Sequence, residues 1–262
     1  GYYGSEDVGI ARIDVNGTQL VDSGVSVTNV PSIASQVMAS PESGFSIVTY
    51  TGSSSAVTVG HGLNAAPGMI IVKDLSNLGY NWQVAHSSIG ADESLVFATD
   101  AATDYDAWNN TRPTSSVFSL GAGTLGVNTN GADLIAYCFA PVEGYSAMGS
   151  YTGNGSADGP FVYTGFKPAL VIIKGSSASG GNWILYDNAR GPFNLNDAKL
   201  AANLGGEENN STLGGTSLGL DFLSNGFKHR NDGGGNHNSS GETYIYLAFA
   251  EHPFASNGGL AR

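Results

Sequence analysis

A chain of 262 residues that is 41% hydrophobic but only 12% charged can bury a core, as one large domain or as two of ~100–150 residues each. Its 38 glycines suit short strands joined by many turns and do not suit long helices. The net charge of −12 and pI near 4.5 exclude nucleic acid and anionic membrane surfaces as expected partners, and no apolar run approaches the ~18 residues of a membrane span.

Residues 1–30 read as β-hairpin material. Asn16-Gly17 is a strong tight-turn signal between strand-like residues 9–15 and Leu20-Val21, and residues 25–30 follow as a further extended stretch. Pro31 then opens residues 32–39, the best helix candidate in the chain at barely two turns. Residues 31–44 are read as a linker.

A repeat begins next. Aligning Tyr50 with Tyr151 carries the chain without a gap to Gly90 and Gly191. Tyr50-Thr51-Gly52 falls on Tyr151-Thr152-Gly153, Pro67 on Pro168, Lys73 on Lys174, and Asn81-Trp82 on Asn182-Trp183. The copies rejoin later, where residues 131–140 match 241–250, so the second copy gains a polar loop between 192 and 226. Each copy offers the same strand series with turn signals every dozen residues, the pattern of a sandwich or jelly roll. Met69-Ile70-Ile71-Val72 and Val171-Ile172-Ile173 are unbroken apolar runs, as in strands buried on both faces. The lone cysteine, Cys138, lies in the apolar run 134–140; it has no partner for an internal disulfide and reads as a small buried hydrophobe. The expected architecture is all-β: an N-terminal β segment and linker over 1–43, tandem jelly-roll-like β-sandwich domains over 44–145 and 146–254, and a C-terminal tail over 255–262.

Several of these segments also resemble a known class. Gly44-Phe-Ser-Ile-Val-Thr-Tyr-Thr-Gly52, Val59-Gly-His-Gly-Leu63, Pro113-Thr-Ser-Ser-Val-Phe118, Ile135-Ala-Tyr-Cys-Phe-Ala140, Leu223-Ser-Asn-Gly-Phe227 and the run from Gly149 to Phe161 resemble C-terminal segments of marine bacteriophage tail-fibre-like proteins. The resemblance covers about 32–254. It implies a virion component at the tail or capsid surface, and by analogy with fibre tips a homo-oligomer, trimer favoured, in contact with other virion proteins. It implies no established catalytic residue or ligand.

Candidate sites are read from residue chemistry. Trp82 and Trp183 occupy one repeat position; each suits a sugar-stacking ring, although their strand-like flanks favour a core anchor. The polar stretch 100–110 sets Tyr105 and Trp108 among Asp104 and Asp106. Rings to stack on and carboxylates to bind hydroxyls are what a saccharide site uses, and Asp-x-Asp can contribute to a Ca²⁺ site; the plainer reading is an acidic loop whose tryptophan tucks onto the sandwich. The glycine-rich stretch 228–241 carries His229, Arg230, Asp232 and His237, which read as a mobile hairpin loop with contact or metal-ligating potential. No phosphate loop or nucleophile elbow is present. No cofactor is expected. The function expected is binding of a host-surface glycan or protein without catalysis; the alternatives are a structural capsid or fibre subunit and a glycan depolymerase.

Overall fold

A computed structural model describes residues 13–15, 18–20, 29–104, 106–122, 126–177, 180–206, 208, 219–230 and 237–253. Every strand pairing is antiparallel, and the described residues contain no α-helix. Strands β1 (Ile13–Val15) and β2 (Thr18–Leu20) pair with Val15 opposite Thr18, as expected of a hairpin turning at Asn16-Gly17, although that dipeptide lies outside the described residues. So do residues 25–28 of the extended stretch expected at 25–30, and its last two residues are no strand, with Asn29 in a turn at φ +65.

The helix expected over 32–39 is a strand. β3 (Ser35–Ser40) turns through one 3₁₀ turn, Pro41–Ser43, into β4 (Phe45–Thr51), and pairs with it from Ser35 opposite Tyr50 to Ser40 opposite Phe45. Two turns of helix are marginal without tertiary support. Here the sheet edge supplies ladder bonds, and the Ser35 hydroxyl adds a bond to the Gly60 carbonyl. Gly44 closes the turn at φ +64, where a Cβ would stand 2.2 Å from the Ala140 carbonyl oxygen. Residues 31–43 are therefore the first strand and turn of the first sandwich, not a linker.

The strands that follow are β5 (Val57–Gly60), β6 (Met69–Asp74), β7 (Gln83–His86), β8 (Glu93–Val96), β9 (Thr103–Asp104), β10 (Val117–Leu120) and β11 (Asp133–Phe139). The first large sheet has the order β3-β4-β11-β6-β7-β8-β9, and β5 pairs with β10 as a small sheet. The second half holds β12 (Ser146–Thr152), β13 (Phe161–Tyr163), β14 (Pro168–Gly175), β15 (Ile184–Asp187), β16 (Lys199–Ala201), β17 (Leu220–Leu223), β18 (Gly226–His229) and β19 (Thr243–Ala250). Its large sheet is β12-β19-β14-β15-β16 and its small sheet β13-β18-β17. The order β4-β11-β6-β7-β8 thus has its counterpart in β12-β19-β14-β15-β16.

The central strands of each large sheet are covered on both faces, which explains the unbroken apolar runs. Ile70, Val72, Leu134, Ala136 and Cys138 meet Val59, Phe118 and Leu120 of the first small sheet. Burial pushes the Cys138 thiol up to about 12, so it is the inert hydrophobe expected. Val171, Ile173, Tyr244 and Tyr246 meet Val162, Leu220 and Phe227 in the second half. The alternate residues, Met69, Val84 and Leu95 on one sheet and Ile245 and Leu247 on the other, form a third core between the large sheets. There β19 runs across the first sheet's strands. The Tyr246 carbonyl lies 3.3 Å from His86 Nε2 on β7, while Phe249 meets Phe139 on β11 at 6.3 Å.

Candidate ligand-binding cleft

Aligned residues make the same bonds in both halves. The Tyr50 hydroxyl donates to the Val127 carbonyl and the Tyr151 hydroxyl to the His237 carbonyl, each at 2.7 Å. Asn128 accepts from the Ser53 N–H and donates to the Ser55 carbonyl; Asn238 accepts from the Asn154 N–H and donates to the Ser156 carbonyl. Lys73 Nζ donates to the Leu78 and Tyr80 carbonyls, and Lys174 Nζ to the Gly181 carbonyl, so each lysine braces the turn before its Asn-Trp pair. The two asparagines escape notice in the sequence because they sit in stretches of similar polar residues.

The tryptophans behave differently. Trp183 is buried at 1% exposure between the large sheets; its Nε1 donates to the Val96 carbonyl at 2.8 Å and its ring stacks on Phe97 at 4.6 Å. Trp82 is 38% exposed. Its ring stacks on Tyr137 at 6.1 Å and meets Phe97 edge-on at 6.3 Å. A file of rings, Tyr137, Trp82, Phe97 and Trp183, therefore runs from the surface into the third core.

The outer end of this file is one wall of an open cleft of about 490 Å³, a size in the range of small-ligand sites. Its floor is the face of the first sheet that turns towards the second, at Ile71 and Tyr137. Its far wall is the turn after β16, Ala202 to Leu204. Asn203 holds that wall in place by accepting from the Trp183 N–H and donating to Asn182 Oδ1, both at 2.9 Å. The Trp82 hairpin is also held. Burial works to raise the Asp74 carboxyl, but hydrogen bonds from the Asn77 and Ser76 N–H groups outweigh it and hold the carboxyl below its ordinary range. Leu75, Leu78 and Tyr80 on the same hairpin are exposed. The aligned turn of the second half reads Ser176-Ser177-Ala178-Ser179-Gly180-Gly181, so an apolar turn facing a polar one was the sequence signal for this site.

The residues singled out beforehand fall elsewhere. Trp108 is buried at 3% exposure in the first core, so it offers no ring face to a sugar. The turn that carries it is drawn inward by the bond from the Gly121 N–H to the Ala107 carbonyl, an approach only glycine allows, since a Cβ at Gly121 would overlap the Asp106 carbonyl. Asp104 and Asp106 are exposed, and the Asp106 N–H donates to Asp104 Oδ1 at 3.2 Å; Tyr105 lies outside the described residues. Among the described residues no cluster of three or more His, Cys, Asp or Glu side chains forms. His229 and His237 come together, but inside the second core at 0% exposure, not on a mobile surface loop. Arg230 pairs with Asp221 at 2.6 Å, and Asp232 lies outside the described residues.

A family model described as a domain of unknown function, DUF7483, matches residues 19–253. The chain belongs to that family. No curated protein and no solved structure matches it significantly. The DUF7483 match spans both sandwiches and thus the strands and turns that build the cleft.

Proposed function

We propose that this chain is a virion surface module of a phage tail fibre or related appendage, and that it binds a host-surface glycan in the Trp82 cleft without catalysis. The observation that carries the reading is the exposed Trp82 ring, stacked on Tyr137 at the wall of an open cleft, while its aligned partner Trp183 is buried. A partly exposed indole ring stacked on a phenol, with apolar side chains beside it, offers a face of the kind that stacks on the apolar face of a pyranose. The resemblance of residues 32–254 to tail-fibre-like segments supplies the virion setting and the homotrimeric assembly.

Asp74, Asp158, Asp187 and Glu251 are all held low, which does not suit any of them as the general acid of glycan cleavage. A glycosidase general acid needs a raised pKa. Burial works to raise Asp187, but hydrogen bonds from Ala189 and Arg190 and the Arg190 charge bring it down, as the turn N–H groups do for Asp74. Hydrogen bonds from Lys228 and Lys167 hold Asp158 and Glu251 down.

The test is retention of the purified chain on host cells and on their extracted envelope polysaccharide. Trp82→Ala is expected to weaken retention at least tenfold, with the β-sheet circular dichroism unchanged. Retention equal to wild type would remove the cleft from the reading. Absence of retention on every host surface would leave a structural virion protein, and release of reducing ends would make it a depolymerase.

A further inference from the structure

The second core contains a pair of histidines at positions where the first core is apolar. Phe118 and Phe227 correspond, each meeting its sheet's tyrosine edge-on, Tyr50 at 6.1 Å and Tyr151 at 6.2 Å. Two residues further, on the same inward face, stand Leu120 in the first half and His229 in the second. The matched tyrosine hydroxyls, which donate to the Val127 and His237 carbonyls, place His237 where the first half has Val127. Leu120 and Val127 are core residues, and His229 and His237 are equally buried with ring centroids 5.6 Å apart.

Hydrogen bonding leaves most of the pair unsatisfied. His237 Nε2 lies 2.8 Å from the Tyr186 hydroxyl. Among the described residues, His229 Nδ1, His229 Nε2 and His237 Nδ1 have no hydrogen-bond partner. Buried polar atoms without partners oppose folding, so their presence calls for a reason. Among the described residues, the groups facing the pair are phenols and a cation. Tyr151 of β12 lies over His229 at 4.7 Å, Tyr244 of β19 stacks on Tyr151, and Tyr186 of β15 meets His237. Lys199 of β16 acts on His237 with its positive charge. The nearby carboxylates are engaged elsewhere: Asp197 acts on Tyr186 and Lys199, and Glu242 accepts from the Tyr244 hydroxyl.

We propose that His229 and His237 form an acid-operated latch: neutral and in contact, they close the end of the second sandwich; on protonation they leave the core and release β17, β18 and the segment from 237 into β19, while the first sandwich stays closed. Burial pushes His229 down to about 3 in the closed form, and burial together with the charges of His229 and Lys199 pushes His237 down as well. Both return to about 6.5 once exposed to water. The closed form is therefore fully favoured above pH 6.5 and loses ground as pH falls below it towards the closed-state values. Each ring contributes up to about tenfold per pH unit, about a hundredfold for both.

Hydrogen exchange on the full chain at pH 7.5 and 5.0, corrected for intrinsic rates, tests this. The protection of β17, β18 and residues 237–244 is expected to fall at least a hundredfold, and that of β5 and β10, beside the single buried His61 whose pKa burial also lowers, by much less. In His229→Leu/His237→Val, which restores the first half's residues, protection at pH 5.0 should persist. Three results overturn the latch: β18 protected at pH 5.0, β18 and β10 opening in step, or the double variant opening as wild type does. If that variant does not fold, the ring proton resonances of the wild type decide. Rings that stay neutral until β18 opens support the latch; rings that titrate near 6.5 in the closed chain overturn it.

Discussion

The two sandwiches share a frame and differ in where they depart from it. In both, a tyrosine, an asparagine and a lysine tie turns to strands by matching bonds. The first half departs at its surface, leaving Trp82 exposed above an apolar hairpin, whereas the second buries Trp183 in the seam between sheets. The second half departs in its core, where His229 and His237 stand in place of Leu120 and Val127. Residues that agree between the halves carry the fold, and residues that disagree at corresponding places mark where one half does something the fold alone does not require.

The tryptophans give the largest test of that contrast. Trp183→Ala removes a ring buried in the third core and its bond to the Val96 carbonyl, and should cost about 3–5 kcal/mol in urea unfolding. Trp82→Ala removes a partly exposed ring and should cost under about 1 kcal/mol. Equal losses would make both residues core anchors and deprive the cleft of its main wall. The asparagines test the shared frame at a smaller magnitude. Asn128→Ala removes bonds to Ser53, Ser55 and Gly121, and Asn238→Ala removes those to Asn154 and Ser156. Each removes the bonds of a buried asparagine to two or more neighbouring backbone groups, at about 1–2 kcal/mol by the same unfolding measurement. A loss in only one half would break the correspondence.

Much of the fold was legible. Apolar runs without alternation announced strands covered on both faces, and Ile71 and Ile172 pack in the seam while Ile70 and Val171 face the small sheets. Residues 32–39 were not legible, because a short stretch with few apolar positions fits either period and only pairing with β4 decides it. The Trp82 and Trp183 equivalence was plain in the sequence, but which ring faces water depends on how far the second sheet reaches over the first. His229 was read as a loop residue because glycines 233–235 follow closely. Its place two residues after Phe227, on the inward side of a strand whose Lys228 pairs outward with Asp158, was the signal that it belongs to the core.

The braced turns supply the smallest predicted effect. Lys174 donates to the Gly181 carbonyl at 2.7 Å, and burial pushes its pKa down to about 8, with Asp100 pulling the other way. Burial lowers Lys199 too, against the pull of Asp197. A lysine lowered in the fold sheds its proton before its unfolded counterpart does, near 10.5. Stability contributed by this group therefore rises as pH climbs from about 8 towards 10. Above that, the buried phenols of Tyr50, Tyr151 and Tyr186, raised by burial, reverse the trend. Lys174→Met should flatten the rise between pH 8 and 10 without removing it, since Lys199 contributes in the same direction. Urea midpoints across that window measure it. A slope identical to wild type would mean that the second half does not bury its bracing lysine, and that this turn differs from the rest of its frame.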